Sequence, residues 1–196
     1  MRDTGKWPRY LSFARSEELA EYIGVVLGDG NISSFPRTER LIIVGNSNNK
    51  GFIERYSSLT KKIFRKTPTV TKILGINAIR ISIYQKFISK RLNIPSGNRS
   101  KYIFKIPSWI MINNNYVISL LRGLFEAEGS FSIHLPTYTY NFSFSNRNIS
   151  ILDEVERALV LLGFHSERRS DGVRLRKKHE ALTFEKLIGF RKYTLL

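Results

Sequence analysis

Apolar and polar positions along this chain change rhythm several times, and the succession of rhythms occurs twice. Glu21–Ile32 (EYIGVVLGDGNI) reads as an apolar helix that runs into an acid and a glycine. Strand-like alternation follows, with a second stretch over Arg40–Gly45 and an Asn-rich turn at Asn46–Asn49. Phe52, Ile53, Tyr56, Leu59, Ile63 and Phe64 then fall at helical spacing, and two short strands, Thr69–Leu74 and Ala78–Tyr84, lead to a short closing helix. The second pass repeats the order: Leu120–Phe131 (LLRGLFEAEGSF), a strand over Tyr138–Ser145, a turn at Asn146–Asn148, a helix on Ile151, Leu152, Val155, Leu159 and Leu162, strands over His165–Arg169 and Val173–Lys177, and a final helix. Ser150 with Asp153 predicts a capping box for the long helix of this copy.

The pattern predicts an α+β protein made of two pseudo-twofold-related αββαββα half-domains with antiparallel sheets, residues 1–92 and 116–196. Residues 93–115, marked by Pro95, Gly97, Pro107 and a triple Asn, read as a linker whose apolar residues anchor on the surface.

Matching the copies aligns Gly24 with Gly123, Gly28 with Ala127, Asp29 with Glu128 and Gly30 with Gly129. Each acid stands at the last turn of its helix, before a glycine suited to a left-handed cap. A carboxylate at that end meets the negative pole of the helix dipole, at a cost of about 0.3–1 kcal/mol. The small residues at i and i+4 point to close approach of the two helices. Face-to-face packing brings Asp29 and Glu128 together, and adjacent carboxylates call for a divalent cation, for which hard oxygen ligands favour Mg²⁺. Glu126 aligns with Leu27 and so reads as structural. No GxxxxGK[ST] phosphate loop is present, and Gly28-Asp29-Gly30 ends a helix instead of opening one, which excludes a dinucleotide loop.

Charge narrows the partner. The 196 residues carry 32 Lys+Arg against 16 Asp+Glu, a net +16, with no cysteine and three histidines. Disulfide scaffolds, Cys-ligated zinc and thiol nucleophiles are excluded. Positive charge of this size points to nucleic acid, because each neutralised phosphate releases counterions. Ala158–Phe164 is among the longest apolar runs and holds seven residues. The first residues lack the apolar core of a secretion signal, so an intracellular setting is expected, prokaryotic cytoplasm or organelle matrix. Strand alternation sets aside polar positions for bases and phosphates: Asn31, Ser33, Arg40, Asn46, Lys72, Arg80 and Ser82 in the first half. In the second half they are Ser132, His134, Asn141, Ser143, Arg147, Arg168, Arg174, Arg176 and Lys178. His134 has no histidine partner in the other copy, so a phosphate or base contact suits it better than a catalytic base.

Tyr22–Gly30 (YIGVVLGDG) and Leu121–Gly129 (LRGLFEAEG) resemble the two motifs of a monomeric LAGLIDADG homing endonuclease, and the order and spacing of elements match beyond the first fifteen residues. The resemblance implies two saddle-shaped sheets in the DNA major groove, acting as a monomer on a long asymmetric target. It implies Mg²⁺-dependent cutting of both strands across the minor groove with 3′ overhangs, Mn²⁺ substituting and Ca²⁺ binding without cleavage. It makes Asp29 and Glu128 the metal-binding acids, with the carbonyls of Gly28 and Ala127 beside them. It also implies a lysine near each site, for which Lys101 and Lys192 are the repeat-related candidates; a phosphate clamp or a plain surface charge are the alternatives for each. The sequence departs from the family in carrying Glu as the second acid, and Val44-Gly45-Asn46-Ser47 where many relatives have Gln or Lys. Two other functions fit the same scaffold: an RNA-splicing maturase that binds intron RNA, and a DNA-binding protein that does not cut.

Overall fold

The computed structural model describes residues 12–99 and 101–193. Residues 1–11, Ser100 and 194–196, which the two half-domains and the linker were expected to include, lie outside the described residues. The first half runs α1 (Glu17–Gly28), β1 (Gly30–Phe35), β2 (Thr38–Asn46), α2 (Lys50–Phe64), β3 (Thr69–Ile73), β4 (Ala78–Gln85) and α3 (Ile88–Leu92). A short α4 (Ser108–Met111) precedes the second half, which runs α5 (Asn114–Glu128), β5 (Gly129–His134), β6 (Thr139–Ser145), α6 (Ile149–Leu161), β7 (Glu167–Arg168), β8 (Gly172–Leu175) and α7 (Lys178–Ile188). Each half is the expected αββαββα unit, and each builds one antiparallel sheet, ordered β1-β2-β4-β3 and β5-β6-β8-β7.

The core is organised around α1 and α5. From Leu19 to Leu27 every residue of α1 is buried, and α5 buries Val117, Leu120, Leu121 and the run Gly123–Glu126. The two helices touch backbone to backbone where side chains are missing. A Cβ built on Gly24 would lie 2.3 Å from the Leu120 carbonyl oxygen, and one on Gly123 only 2.0 Å from that of Glu21. One turn further, a Cβ at Gly28 would meet the Ala127 Cβ at 2.4 Å. The C-terminal ends of α1 and α5 therefore lie side by side.

The glycine after each acid has a different reason from the expected one. Gly129 is extended (φ −89°, ψ 150°) and Gly30 opens β1 without a positive φ, so neither is a left-handed cap. Instead each strand doubles back tightly on its own helix: a Cβ on Gly30 would stand 2.6 Å from the Val26 Cα, and one on Gly129 2.3 Å from the Phe125 carbonyl oxygen. The expected capping box also changes. Asn148 is the N-cap of α6, its side chain accepting from the Ser150 N–H, while Ser150 accepts at 2.8 Å from the Phe104 N–H.

That last bond shows where the stretch between the halves goes. Four of its apolar residues are core, not surface: Ile94, Phe104, Ile106 and Ile110 are at most 5% exposed, whereas Ile103 and Ile112 do lie on the surface. Asn148 donates to the carbonyls of Arg99 and Tyr102, and Glu154 of α6 accepts from the Ile106 N–H. The segment following the first half is thus tied to the N-terminus of α6 in the second. The reverse tie exists too. Tyr193, following the second half, accepts from Asn49, the N-cap of α2, and fills the space over Gly51, where a Cβ would clash with its ring. No helix among the described residues is long and apolar enough to cross a membrane.

Alanine normally improves on helical glycine by about 1 kcal/mol. At Gly123 the overlap with Glu21 reverses that sign. Gly123→Ala is expected to destabilise by about 1–3 kcal/mol, read as a melting temperature several degrees below wild type; a higher melting temperature would contradict the backbone contact.

Candidate active site

Asp29 is the C-cap of α1, its N–H bonded to the Val25 carbonyl, and Glu128 is the last residue of α5. Both are half-buried. A Cβ at Gly28, beside Asp29, would lie 3.1 Å from the Glu128 Cγ, so the acids meet where the two helices end. Neither carboxylate has a hydrogen bond or an ion pair among the described residues, and neither helix has a basic residue in its last turn. Burial, with the negative charge of Glu128 added, pushes the Asp29 carboxyl up to about 7. Burial also raises Glu128. Among the described residues no three His, Asp or Glu side chains gather tightly enough to hold a metal. A cation here would therefore rest on two carboxylates and complete its shell with carbonyl, water or substrate oxygens. Two hard, uncompensated oxygen donors fit a divalent cation of the Mg²⁺ type.

Arg99 is a site residue that the sequence did not single out. Its guanidinium donates to the carbonyls of Val26, at 2.9 Å, and of Gly30, which bracket Asp29. It binds the last turn of α1 to the start of β1, and burial lowers its pKa. It lies two residues before Lys101 in the segment that supplied the lysine candidate, so the right segment was legible and the residue was not. Arg99 also lines a cavity of about 190 Å³ with Leu27, Tyr102, Asn146, Arg147, Asn148 and Ile151. Lys101 is exposed. Lys192 is exposed as well, its Nζ 3.2 Å from Glu185 Oε1.

From the acids the two sheets extend, one face against the helices and one open. Register places Asn31, Ser33, Arg40, Asn46, Arg80 and Ser82 together on the open face of the first sheet, with Thr69 and Thr71 of β3. Ser132, Asn141, Ser143, His134 and Arg174 share the open face of the second, with Ser130 and Glu167. Several polar atoms here lack partners: Arg40 Nε, Arg80 Nε and Asn141 Oδ1 are buried without a hydrogen bond. Arg40 lies against both the Phe35 and the Tyr84 rings, 5.4 Å and 5.9 Å from their centres. Asn46 Oδ1 accepts from the Asn48 N–H, and His134 Nδ1 lies 2.7 Å from Thr137 Oγ1. Arg147 is exposed in the turn after β6, and Arg176 is exposed just beyond β8.

Three of the expected contact residues leave this face. Lys72 pairs with Ile79, whose side of the sheet is that of the buried Ile81, so it sits on the helix side of an edge strand. Arg168 pairs with buried Val173 on the same inner side, and its guanidinium reaches Asp153 of α6 at 3.1 Å and Glu156 at 4.0 Å. Lys178 is no strand residue: β8 ends at Leu175, and Lys178 opens α7 with its Nζ 5.3 Å from the centre of the Tyr140 ring.

Comparison with known proteins defines the class. Residues 115–189 match the family model of the LAGLIDADG-like domain. The chain aligns with a structure of the homing endonuclease I-DmoI in complex with DNA and Mn at a TM-score of 0.62 and 16% identity, covering 91% of this chain and 98% of that one. The N-terminal LAGLIDADG domain of DUF199/WhiA aligns at a TM-score of 0.59 and 16% identity, over 93% of this chain and 88% of that one. The fold is thus that of the two-motif LAGLIDADG proteins, and the second half is a LAGLIDADG-like domain by sequence as well. A curated relative, the glutamine–fructose-6-phosphate aminotransferase (isomerizing) of Methanocaldococcus jannaschii, is 32% identical over 115 residues. That alignment takes in 57% of this chain but 10% of the relative, so this chain corresponds to a small part of that protein.

The raised Asp29 fixes the sign of a pH effect. The unfolded carboxyl ionises near 3.8 and the folded one near 7, so the folded state holds the extra proton between those values. Its contribution is intact at the low end of that window and is lost as pH rises through it. The stability of Asp29→Asn relative to wild type, both in chelator, is expected to grow from pH 4 to pH 7 by up to a few kcal/mol. Parallel melting curves across that range would show that Asp29 does not carry the strain.

Proposed function

We propose that this protein is a metal-dependent, site-specific DNA endonuclease that cuts both strands of a long asymmetric target as a monomer. The single observation that carries the reading is the convergence of Asp29 and Glu128, two partly buried acids with no cationic partner among the described residues, at the joined ends of α1 and α5. A protein that only bound DNA would gain from a lysine or a neutral residue there, since each uncompensated carboxylate repels the phosphate backbone.

Asp29 and Glu128 hold the cation, with the Gly28 and Ala127 carbonyls as further oxygen donors. A divalent cation bound there supplies the positive charge and Lewis acidity that phosphodiester hydrolysis requires. The polypeptide contributes the rest. Arg99 fixes the turn that presents Asp29. The open sheet faces orient the duplex in its major groove, where the Arg and Asn side chains they carry offer hydrogen bonds to guanine and adenine. Lys101 and Lys192, each on a segment that crosses to the opposite half, are assigned to polarising phosphate or water, for which Lys192 must release Glu185. The net charge of +16 supplies the non-specific attraction. I-DmoI, of the same fold, has been seen with DNA and Mn and with DNA and Ca, which supports a divalent cation and a DNA substrate.

The test is a cleavage screen of a randomised plasmid library with Mg²⁺, Mn²⁺ or Ca²⁺, breaks mapped by sequencing. Mg²⁺ and Mn²⁺ are expected to support double-strand breaks, and Ca²⁺ binding alone. Asp29→Asn and Glu128→Gln are each expected to lower cutting at least a hundredfold, of the order that removal of one transition-state charge partner costs, while retaining duplex in gel shifts. Cleavage at the wild-type rate by either variant would remove the acids from the chemistry.

A further inference from the structure

With Gly30 and Gly129 aligned, Arg174 takes the place that Ser82 holds in the first sheet: the row Ile42, Ser82, Thr69 there is Ser143, Arg174, Glu167 here. The first sheet carries its own open-face arginine, Arg80, one row further along. Arg80 has a threonine beside it and an Nε left without a partner. Arg174 has a carboxylate: Glu167 Oε2 accepts from its Nε at 3.0 Å and lies 3.0 Å from its Nη2. Arg169 Nη2 lies 3.3 Å from the same oxygen. The hydrogen bond from Arg174 holds the Glu167 carboxyl below its usual range, so it stays ionised.

An acid on the open face of a sheet that meets DNA is costly, because it repels phosphate. What it gives in return is orientation. A guanidinium has five N–H donors in a planar fork, and Glu167 takes the Nε–H and lies along the Nε–Nη2 edge. The donors turned away from that edge remain, at least one on each terminal nitrogen, the pair that meets O6 and N7 of guanine. Fixing a long side chain before binding removes rotamer freedom that would otherwise be lost on contact. Arg168, the adjacent cation, cannot do this work because it is held on the opposite face by Asp153 and Glu156.

We propose that Glu167 is a specificity-determining residue, which holds the Arg174 guanidinium in one orientation so that this arginine reads a guanine in the part of the target covered by the second half. The inference rests on the DNA-binding reading above. The first half has no such fixed reader: the equivalent position is Ser82 beside Thr69, and Arg80 on the next row has Thr71 beside it where Arg174 has a carboxylate.

The experiment is a binding selection with the full-length protein on a randomised duplex library in Ca²⁺ at fixed salt, the retained duplexes being sequenced. Wild type is expected to enrich guanine at one position in one half of its site, and Arg174→Ala to erase that preference. Glu167→Thr, which copies the first half, and the isosteric Glu167→Gln are expected to lower that guanine preference roughly tenfold and leave every other position unchanged. Circular dichroism melts that match wild type confirm that both variants fold, as expected for a half-buried residue on a two-residue edge strand. An unchanged base profile in both Glu167 variants, or a uniform gain in affinity without a change in profile, would overturn the pair and leave the DNA reading standing. A wild type that retains no duplex would overturn both.

Discussion

The contact between α1 and α5 is the constraint on which the rest of the molecule depends. Neither helix can be buried by its own half alone, since α1 is enclosed from Leu19 to Leu27 while its sheet covers only one side. Removing side chains at Gly24 and Gly123 lets the backbones touch, and the rotation that permits this contact also sets the two helix ends together. Position of the acids is thus a consequence of core packing, with no flexible loop between them. That is the rigid support a site for charge chemistry requires.

The same helix pair treats its acids in two opposite ways. Near the N-terminal end of α1, Glu21 is 3% exposed, and Arg55 of α2 meets it with Nε 2.5 Å from Oε1 and Nη2 2.6 Å from Oε2; Arg122 of α5 adds a third contact at 3.5 Å. Glu126 is likewise covered, accepting from the Arg191 N–H at 2.5 Å and from Tyr193. These acids are satisfied and serve the fold, as buried charge must be. Asp29 and Glu128, about two turns from Glu21 and about half a turn from Glu126, are left without cations among the described residues in a protein with twice as many basic as acidic residues. Compensation was available along this chain and is absent where the two helices end together.

The repeat made the architecture legible, because two copies of one pattern restrict each other: a helix, a hairpin and an acid at matched points leave few ways to fold. Legibility failed where a segment has nothing buried to set its phase. β3 is exposed along almost its whole length and β7 has two residues, so alternation could not say which side Lys72 or Arg168 would take. Only pairing with β4 and β8 decides that. Ile94, Phe104, Ile106 and Ile110 were misread for a related reason: Pro, Gly and Asn in their segment mark a linker, while the bonds that tie Phe104 and Ile106 to the distant α6 carry no local signal. The glycines after the acids were found correctly, but a residue type alone does not distinguish a left-handed turn from a close approach of strand to helix. Arg99 was missed because its partners are backbone carbonyls, which carry no signature in a sequence.

The reciprocal ties between the halves bear on how such a protein can be recombined. The chain after the first sheet secures the beginning of α6, and the chain after the second secures the beginning of α2. A boundary drawn at residue 92 would separate each unit from the strap that its partner helix needs. A working chimera joining one half of this protein to a foreign half must therefore carry residues 93–106 along with the first half, and Tyr193 along with the second, so the modules suited to exchange are interlocked pieces longer than the repeats themselves.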